Sequence, residues 1–374
     1  MKTYKFECRV ISPLFMAGAN DQEPEIRPAS IKGVLRWWFR TLYGAELYSK
    51  FSEHTKVIGE LQKKEFEIFG STSGKSSFIL NISKVRIEKD VFDKNVLSAY
   101  AGYGLDGTRN KLPRKYIKSA GTFELNIVFL KDNEEKEKYV LASLSLLSAF
   151  GNMGAKGNRG FGSIKLNPSE KYSYFENTPA EPEIRKYHEK LLAEIYRDFG
   201  IKKPEVYPKF PVISPAYFTF RYYSADALNN VNNVITKFGK ELRRFRENRQ
   251  EKGSRPNTFH SYAYHAVKPQ DTDIADDNIF GLPHNFAFSD RSKAEVKIKA
   301  GGDEKKYERR ASPVKFKVSE HNGKIYPGLV IFESHFLPDN AKIFAVHNGK
   351  KNVLKTPEFS RAEEFMNHLS GVFR

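Results

Sequence analysis

The sequence predicts an α+β fold in two successive units, and three observations carry that reading. Tyr4, Phe6, Cys8 and Val10 alternate with Lys5, Glu7 and Arg9 as a half-buried strand does; helical and alternating segments then follow one another to residue 166; and a similar order restarts beyond a proline-rich stretch. After a turn-rich segment holding Gly18, Asn20, Asp21 and Pro24, Ser30 is placed to cap a helix whose Ile31, Val34, Leu35, Trp38 and Leu42 share one face. The other face carries Lys32, Arg36 and Arg40. A second helix is expected over about 53–69, stopped by Gly70, after which Phe78, Leu80 and Ile82 alternate before Val85 and Ile87, as a strand or hairpin. Residues 122–130 read as a strand, 135–150 as a helix with Val140, Leu144 and Leu147 on one side, and 164–166 as a strand. Over 1–166 the order is β-α-β-β-α-β, the ferredoxin-like (RRM-like) arrangement shared by many RNA-binding domains.

Residues 167–210 hold Pro168, Pro179, Pro182, Pro204 and Pro208 around a helical run at 184–199, which suits a connection between domains. Beyond it a strand is expected at 216–222, then a long helix from 225 to about 249 with Val231, Ile235, Phe238, Leu242 and Phe245 on one face. Alternation returns at 296–298, 314–318, 329–332 and 343–346, and a last helix is expected at about 360–372. The expected second unit, 211–374, is therefore also α+β and ferredoxin-like, with insertions. No exact repeat relates the halves.

Composition narrows the function. Hydrophobic residues make up 40% and aromatics 14% of 374 residues, enough to exclude disorder for the bulk of the chain. Lys and Arg (62) exceed Asp and Glu (45) by 17, which points to a polyanionic partner, nucleic acid before a membrane surface. The single cysteine, Cys8, sits in an alternating stretch and is expected to pack; it excludes an intramolecular disulfide and any zinc site built from several thiolates. No apolar run reaches the roughly 20 residues of a membrane span, and the N-terminus lacks a signal-peptide core, so a soluble cytoplasmic protein is expected.

The segment from Arg27 to Arg40 concentrates the most unusual chemistry. Helix N-terminal N–H groups favour a phosphate, Arg27, Lys32 and Arg36 can surround the same spot, and Gly33 in the first turn suits close approach of a ligand backbone. The plainer alternative is an amphipathic helix with a solvated basic face and Trp37 and Trp38 in the core. Between Gly151 and Gly162, glycines at 154, 157 and 160 accompany Lys156 and Arg159; such a loop can present successive N–H groups to an anion, or simply connect. It follows a helix and precedes a strand, the reverse of a dinucleotide fingerprint, which is excluded. Gly70 to Ser76 has three residues between its glycines where a Walker A loop needs four, so it reads as a turn whose Lys75 can touch phosphate. Arg243 and Arg244 belong to a basic run from Lys237 to Arg255, and Arg309 and Arg310 form a smaller one; each is a nucleic-acid track or a solvated face. The nine histidines show no zinc-enzyme spacing, and no metal centre or cofactor is expected. His260 and His265 can in principle supply acid–base chemistry for metal-independent RNA cleavage, although alternating aromatics on a strand explain that segment more simply.

Ser12-Pro13-Leu14-Phe15, the segment from Ile26 to Arg40, Ile68-Phe69-Gly70 and the glycine-rich loop together resemble the RAMP proteins of CRISPR systems. The run from Arg27 to Trp38, Arg-Pro-x-Ser-Ile-Lys-Gly-x-Leu-Arg-x-Trp, resembles the first subunit of the type III-B Cmr effector complex, and the likeness resumes at Phe280-Gly281-Leu282-Pro283 and Arg309-Arg310-Ala311-Ser312-Pro313. The stretch 167–279 matches nothing in that pattern. The resemblance implies two ferredoxin-like domains in an antiviral ribonucleoprotein, with guide RNA, target RNA and other Cmr subunits as partners. It also implies that target cleavage belongs to a different subunit, so that this chain binds RNA without catalysis. The alternative is a metal-independent endoribonuclease that processes guide precursors.

Overall fold

A computed structural model describes residues 1–107, 111–175, 183–224, 228, 230–247, 273–282, 284–287, 293–300, 309–347 and 350–373. It is a mixed α/β protein built on antiparallel sheets. Strand β1 (Lys2–Val10) leads to helices α1 (Pro28–Tyr48) and α2 (His54–Phe69), strand β2 (Phe78–Arg86), a small ribbon of β3 (Lys89–Val91) and β4 (Lys115–Ile117), then β5 (Thr122–Phe129), α3 (Glu134–Phe150) and β6 (Ile164–Pro168). The four long strands lie in the order β2-β5-β1-β6, every neighbour antiparallel, so both helical connections cross one face of the sheet. That face buries Tyr4, Phe6, Cys8 and Val10 of β1 against Leu35, Trp38 and Leu42 of α1 and Val140, Leu144 and Leu147 of α3. Cys8 is buried and packs, with its thiol pushed well above its ordinary range by burial.

Helix α1 begins two residues before the expected cap. Pro28 occupies its first turn, where a missing N–H costs nothing and the ring presets φ. Arg27, extended at φ −115°, takes the cap position without a side-chain bond, and Ser30 lies inside the helix. Gly70 does stop α2, at φ +82°.

Next comes α4 (Ile184–Phe199), whose Leu191, Leu192, Ile195 and Phe199 join the first core. The second half holds β7 (Phe218–Tyr222), α5 (Val231–Glu247), a 3-10 turn (Asp273–Phe280), β8 (His284–Ala287), β9 (Lys293–Ala300), β10 (Val314–His321), β11 (Lys324–Phe332), β12 (Ala341–His347), β13 (Lys350–Leu354) and α6 (Ser360–Val372). Helix α5 covers 231–247 of the expected 225–249 helix, and residues 225–227, 229, 248 and 249 lie outside the described residues. The alternating segments fall into two sheets, β10-β11-β7 and β13-β12-β9-β8. Phe238 of α5 stacks on Phe316 of β10 with ring centroids 3.7 Å apart, at the centre of a second core that includes Val234, Ile235, Phe365 and Leu369. No helix among the described residues is long and apolar enough to cross a membrane.

Candidate nucleic-acid interface

Four segments distant in sequence, one of them the 3-10 turn through Phe280, meet around one open cleft of about 510 Å³. Helix α1 contributes Gly33 and Trp37, the glycine-rich loop Lys156 and Arg159, and the start of β10 Ser312 and Lys315. Spacing on α1 explains its share: positions 33 and 37 lie one turn apart on the same face. Gly33 is exposed and a Cβ there would meet nothing within 4 Å, so packing does not demand glycine; the bare backbone opens the cleft floor instead.

The electrostatics are one-sided. Among the described residues that line the cleft there is no carboxylate, while Lys156, Arg159 and Lys315 bring three cations. Burial, with Arg159 and Arg309 nearby, lowers the pKa of the Lys156 amine, and burial brings Arg159 down to about 10. Burial also brings Lys315 down to about 8, and its ammonium stands 3.9 Å over the Trp37 ring. Arg159 and Lys315 are half-buried and Lys156 is exposed at the rim; like charges gathered this closely repel one another, and an arriving phosphate chain relieves that repulsion. Lys156 also holds a left-handed backbone (φ +58°), uncommon for a non-glycine residue.

The loop is held from both halves. Asn152 donates through Nδ2 to the carbonyls of Gly157 (2.6 Å) and Phe316 (2.8 Å), and accepts from the Ser163 hydroxyl (2.5 Å). Lys317, fully buried, donates to the Gly151 carbonyl at the end of α3 (2.7 Å). Arg159 reaches the Phe280 carbonyl (3.3 Å), and Leu282 and Arg310 exchange backbone hydrogen bonds of 2.8 and 3.1 Å. The two short motifs near 280 and 310 are thus one patch beside the cleft.

Several expected site residues lie elsewhere. Lys32, Arg36, Lys156 and Arg159 do not converge: Lys32 and Arg36 occupy the α1 face next to the one that lines the cleft. Lys32 Nζ sits 4.8 Å over the Phe78 ring, and Arg36 donates to the carbonyls of Phe69 (3.1 Å) and Gly70 (2.9 Å), closing the end of α2. Arg40 makes a two-pronged pair with Glu65 at 2.5 and 2.7 Å. Arg36→Ala is accordingly expected to cost about 1–2 kcal/mol in a urea melt, whereas Lys156→Ala changes stability by less than about 0.5 kcal/mol; equal effects would contradict this division of labour. Arg27 pairs with Glu25 at 3.3 Å. Lys75 is exposed in a turn closed by Ser71 and Gly74.

Gly160 is packed against the second half of the chain. Its N–H bonds the Gly157 carbonyl, and at φ +87° its Cα packs so closely on Phe316 that a Cβ would lie 2.6 Å from the ring. Gly154 likewise abuts the Phe15 carbonyl, a Cβ there falling 2.5 Å from its oxygen, while Gly157 has ordinary space. Arg309 is exposed beside Lys156; Arg310 binds the His335 carbonyl (3.2 Å) and lies over Phe336. Arg243 is exposed, and Arg244 pairs with Glu241 at 2.7 Å. Arg249, Lys252, Arg255, His260 and His265 lie outside the described residues. No group of three or more His, Cys, Asp or Glu arranged to hold a metal occurs among the described residues.

Sequence reading missed Lys315. Its strand was legible, but alternation alone marks Lys315 and Lys317 as the solvent face.

Residues 7–165 match the RAMP superfamily. CRISPR system Cmr subunit Cmr1-2 of Pyrococcus furiosus is 32% identical over 181 residues, 43% of this chain and 93% of the relative. Subunit Cmr1-1 of the same organism is 26% identical over 350 residues, 90% of this chain and 89% of the relative. The fold is similar to that of the apo crystal structure of Cmr1 from Pyrococcus furiosus, with a TM-score of 0.62 at 20% identity over 100% of this chain and 97% of that one. It is also similar to a chain of the type III-B Cmr-beta complex bound to cognate target RNA, with a TM-score of 0.53 at 15% identity over 99% of both chains. On the sequence likeness that spans nearly all of the first relative, this chain belongs to the RAMP superfamily as a member of the Cmr1 family of CRISPR Cmr subunits.

Proposed function

We propose that this protein is a non-catalytic RNA-binding subunit of a type III-B Cmr ribonucleoprotein, acting in the cytoplasm in antiviral defence and contacting guide RNA, target RNA or both alongside other Cmr subunits. The observation that carries the proposal is the cleft, where Lys156, Arg159 and Lys315 gather beside the Trp37 ring with no carboxylate among the described lining residues. Lys156, Arg159 and Lys315 take phosphates, and Trp37 offers a face for a base. The relatives support the setting, since both are Cmr subunits and one solved neighbour belongs to a Cmr-beta complex bound to cognate target RNA.

In this reading residues 1–166 are a ferredoxin-like RNA-binding unit, supported by the β2-β5-β1-β6 order with two crossing helical connections. Residues 167–210 connect it to a second unit at 211–374, whose β10-β11-β7 sheet repeats three of the four positions, and the β13-β12-β9-β8 sheet is an insertion.

The test is fluorescence anisotropy with single-stranded RNA over a salt series. Log affinity is expected to fall linearly with log salt; an affinity unchanged between low and moderate salt contradicts the cleft. RNA incubated with the protein in EDTA should stay intact, and discrete products would overturn the non-catalytic part.

A pH dependence follows as well. In the free protein Lys315 is lowered to about 8, so it is charged below that pH and neutral above it. A bound phosphate raises its pKa, so binding takes up a proton and weakens as pH rises through 8. Affinity should fall about tenfold between pH 7 and 9.5 in the wild type and clearly less in Lys315→Ala, where only Lys156 and Arg159, both lowered, still titrate toward the top of that range. Equal pH profiles would remove Lys315 from the interface.

A further inference from the structure

The inserted sheet carries a second feature that the cleft does not use. Strand β12 pairs with β9 so that Phe344 stands opposite Lys297, and with β13 so that Phe344 opposes Val353 and Val346 opposes Lys351. Val296, Ile298, Ile343 and Ala345 point the other way into the second core. The two-residue period therefore leaves Lys342, Phe344, Lys351 and Val353 on the outer face. Val353 is 60% exposed, Lys342 and Lys351 are exposed, and Lys351 Nζ stands 4.0 Å over the Phe344 ring. Lys297 is paired with Glu295, but among the described residues neither Lys342 nor Lys351 is held in an ion pair.

A solvent-facing sheet surface is ordinarily polar, and the buried face of this sheet already satisfies its packing. A ring set among lysines is what a single-stranded nucleic acid requires, because any base can stack on the ring while flanking ammonium groups hold the adjacent phosphates. An acidic protein segment would use the lysines and leave the ring without a role. No residue of this face lines the cleft.

Resting on the RNA-binding reading above, we propose that the outer face of the β8-β9-β12-β13 sheet is a second single-stranded RNA site, with Phe344 as the stacking platform and Lys342 and Lys351 as phosphate contacts.

The test uses the full chain and a photo-crosslinkable oligouridylate containing 4-thiouridine, with crosslinked peptides mapped. Crosslinks are expected within 341–354. Phe344→Leu, which keeps an apolar side chain on the strand, should reduce them about tenfold without moving the melting temperature. Lys342→Gln with Lys351→Gln should lower the magnitude of the salt slope by about 1.4, at roughly 0.7 for each single-strand phosphate contact. Crosslinks confined to cleft peptides, with Phe344→Leu inert, would overturn this site and leave the cleft standing. Crosslinks at 341–354 with none at the cleft would sustain this site and remove the other. Displacement of RNA from this face by polyglutamate as readily as by an oligouridylate of equal charge would assign it to an acidic protein and overturn the proposal.

Discussion

Gly160→Val is expected to cost about 3 kcal/mol or more and to lower the melting temperature by several degrees, seen by circular dichroism before any RNA is added. Two terms add. A β-branched residue held at φ +87° is strained by roughly 1–3 kcal/mol, and its Cβ would enter the Phe316 ring, forcing apart a stack that anchors the second core. Gly160→Ala carries the same clash with a smaller side chain and should fall between the two proteins. The glycine therefore serves the join between the halves, where the loop and β10 bridge at Arg159 and Phe316. A valine variant that melts like the wild type would mean that this packing does not exist in solution.

The largest expected effect on binding comes from removing the cleft's charge. Lys156→Ala, Arg159→Ala and Lys315→Ala combined should weaken single-stranded RNA binding at low salt by about 100-fold or more. The magnitude of the salt slope should fall by about 2, from three contacts at roughly 0.7 each. Arg159 also reaches the Phe280 carbonyl, so the melt of the triple variant is the control for folding. Lys32→Ala, by contrast, lies on another face of α1 and should change the affinity less than any cleft substitution. Wild-type affinity and slope in the triple variant would place the RNA elsewhere.

These expectations differ from the sequence reading at identifiable points. The first unit was legible because its segments bury one face each, and alternation or helical spacing reports that directly: Tyr4 to Val10, the α1 stripe and the α3 stripe all pack as their spacing implies. The start of α1 was misplaced because a capping serine and a first-turn proline compete as signals, and Pro28 prevailed. The glycine loop was recognised by composition, but composition does not tell a glycine that admits a ligand from one that admits a neighbouring phenylalanine. On α1 Gly33 faces open space, whereas in the loop Gly160 meets the Phe316 ring.

By itself the sequence determined the class of the fold, the family likeness, the polyanionic partner expected from an excess of 17 positive charges, and the segment and loop that contribute most of the cleft. Tertiary structure decided which basic residues lie together. On α1, a rotation of one residue separates Gly33 and Trp37, which face the cleft, from Lys32 and Arg36, which turn toward β2 and α2. On β10, alternation put Lys315 and Lys317 on one side and marked that side as the solvent face. The docking of the second half against the end of α3 turned that side inward, so that Lys317 closes a carbonyl and Lys315 lies over Trp37. Periodicity reports which residues travel together on an element. The surface they meet is set by long-range packing, which no local pattern encodes.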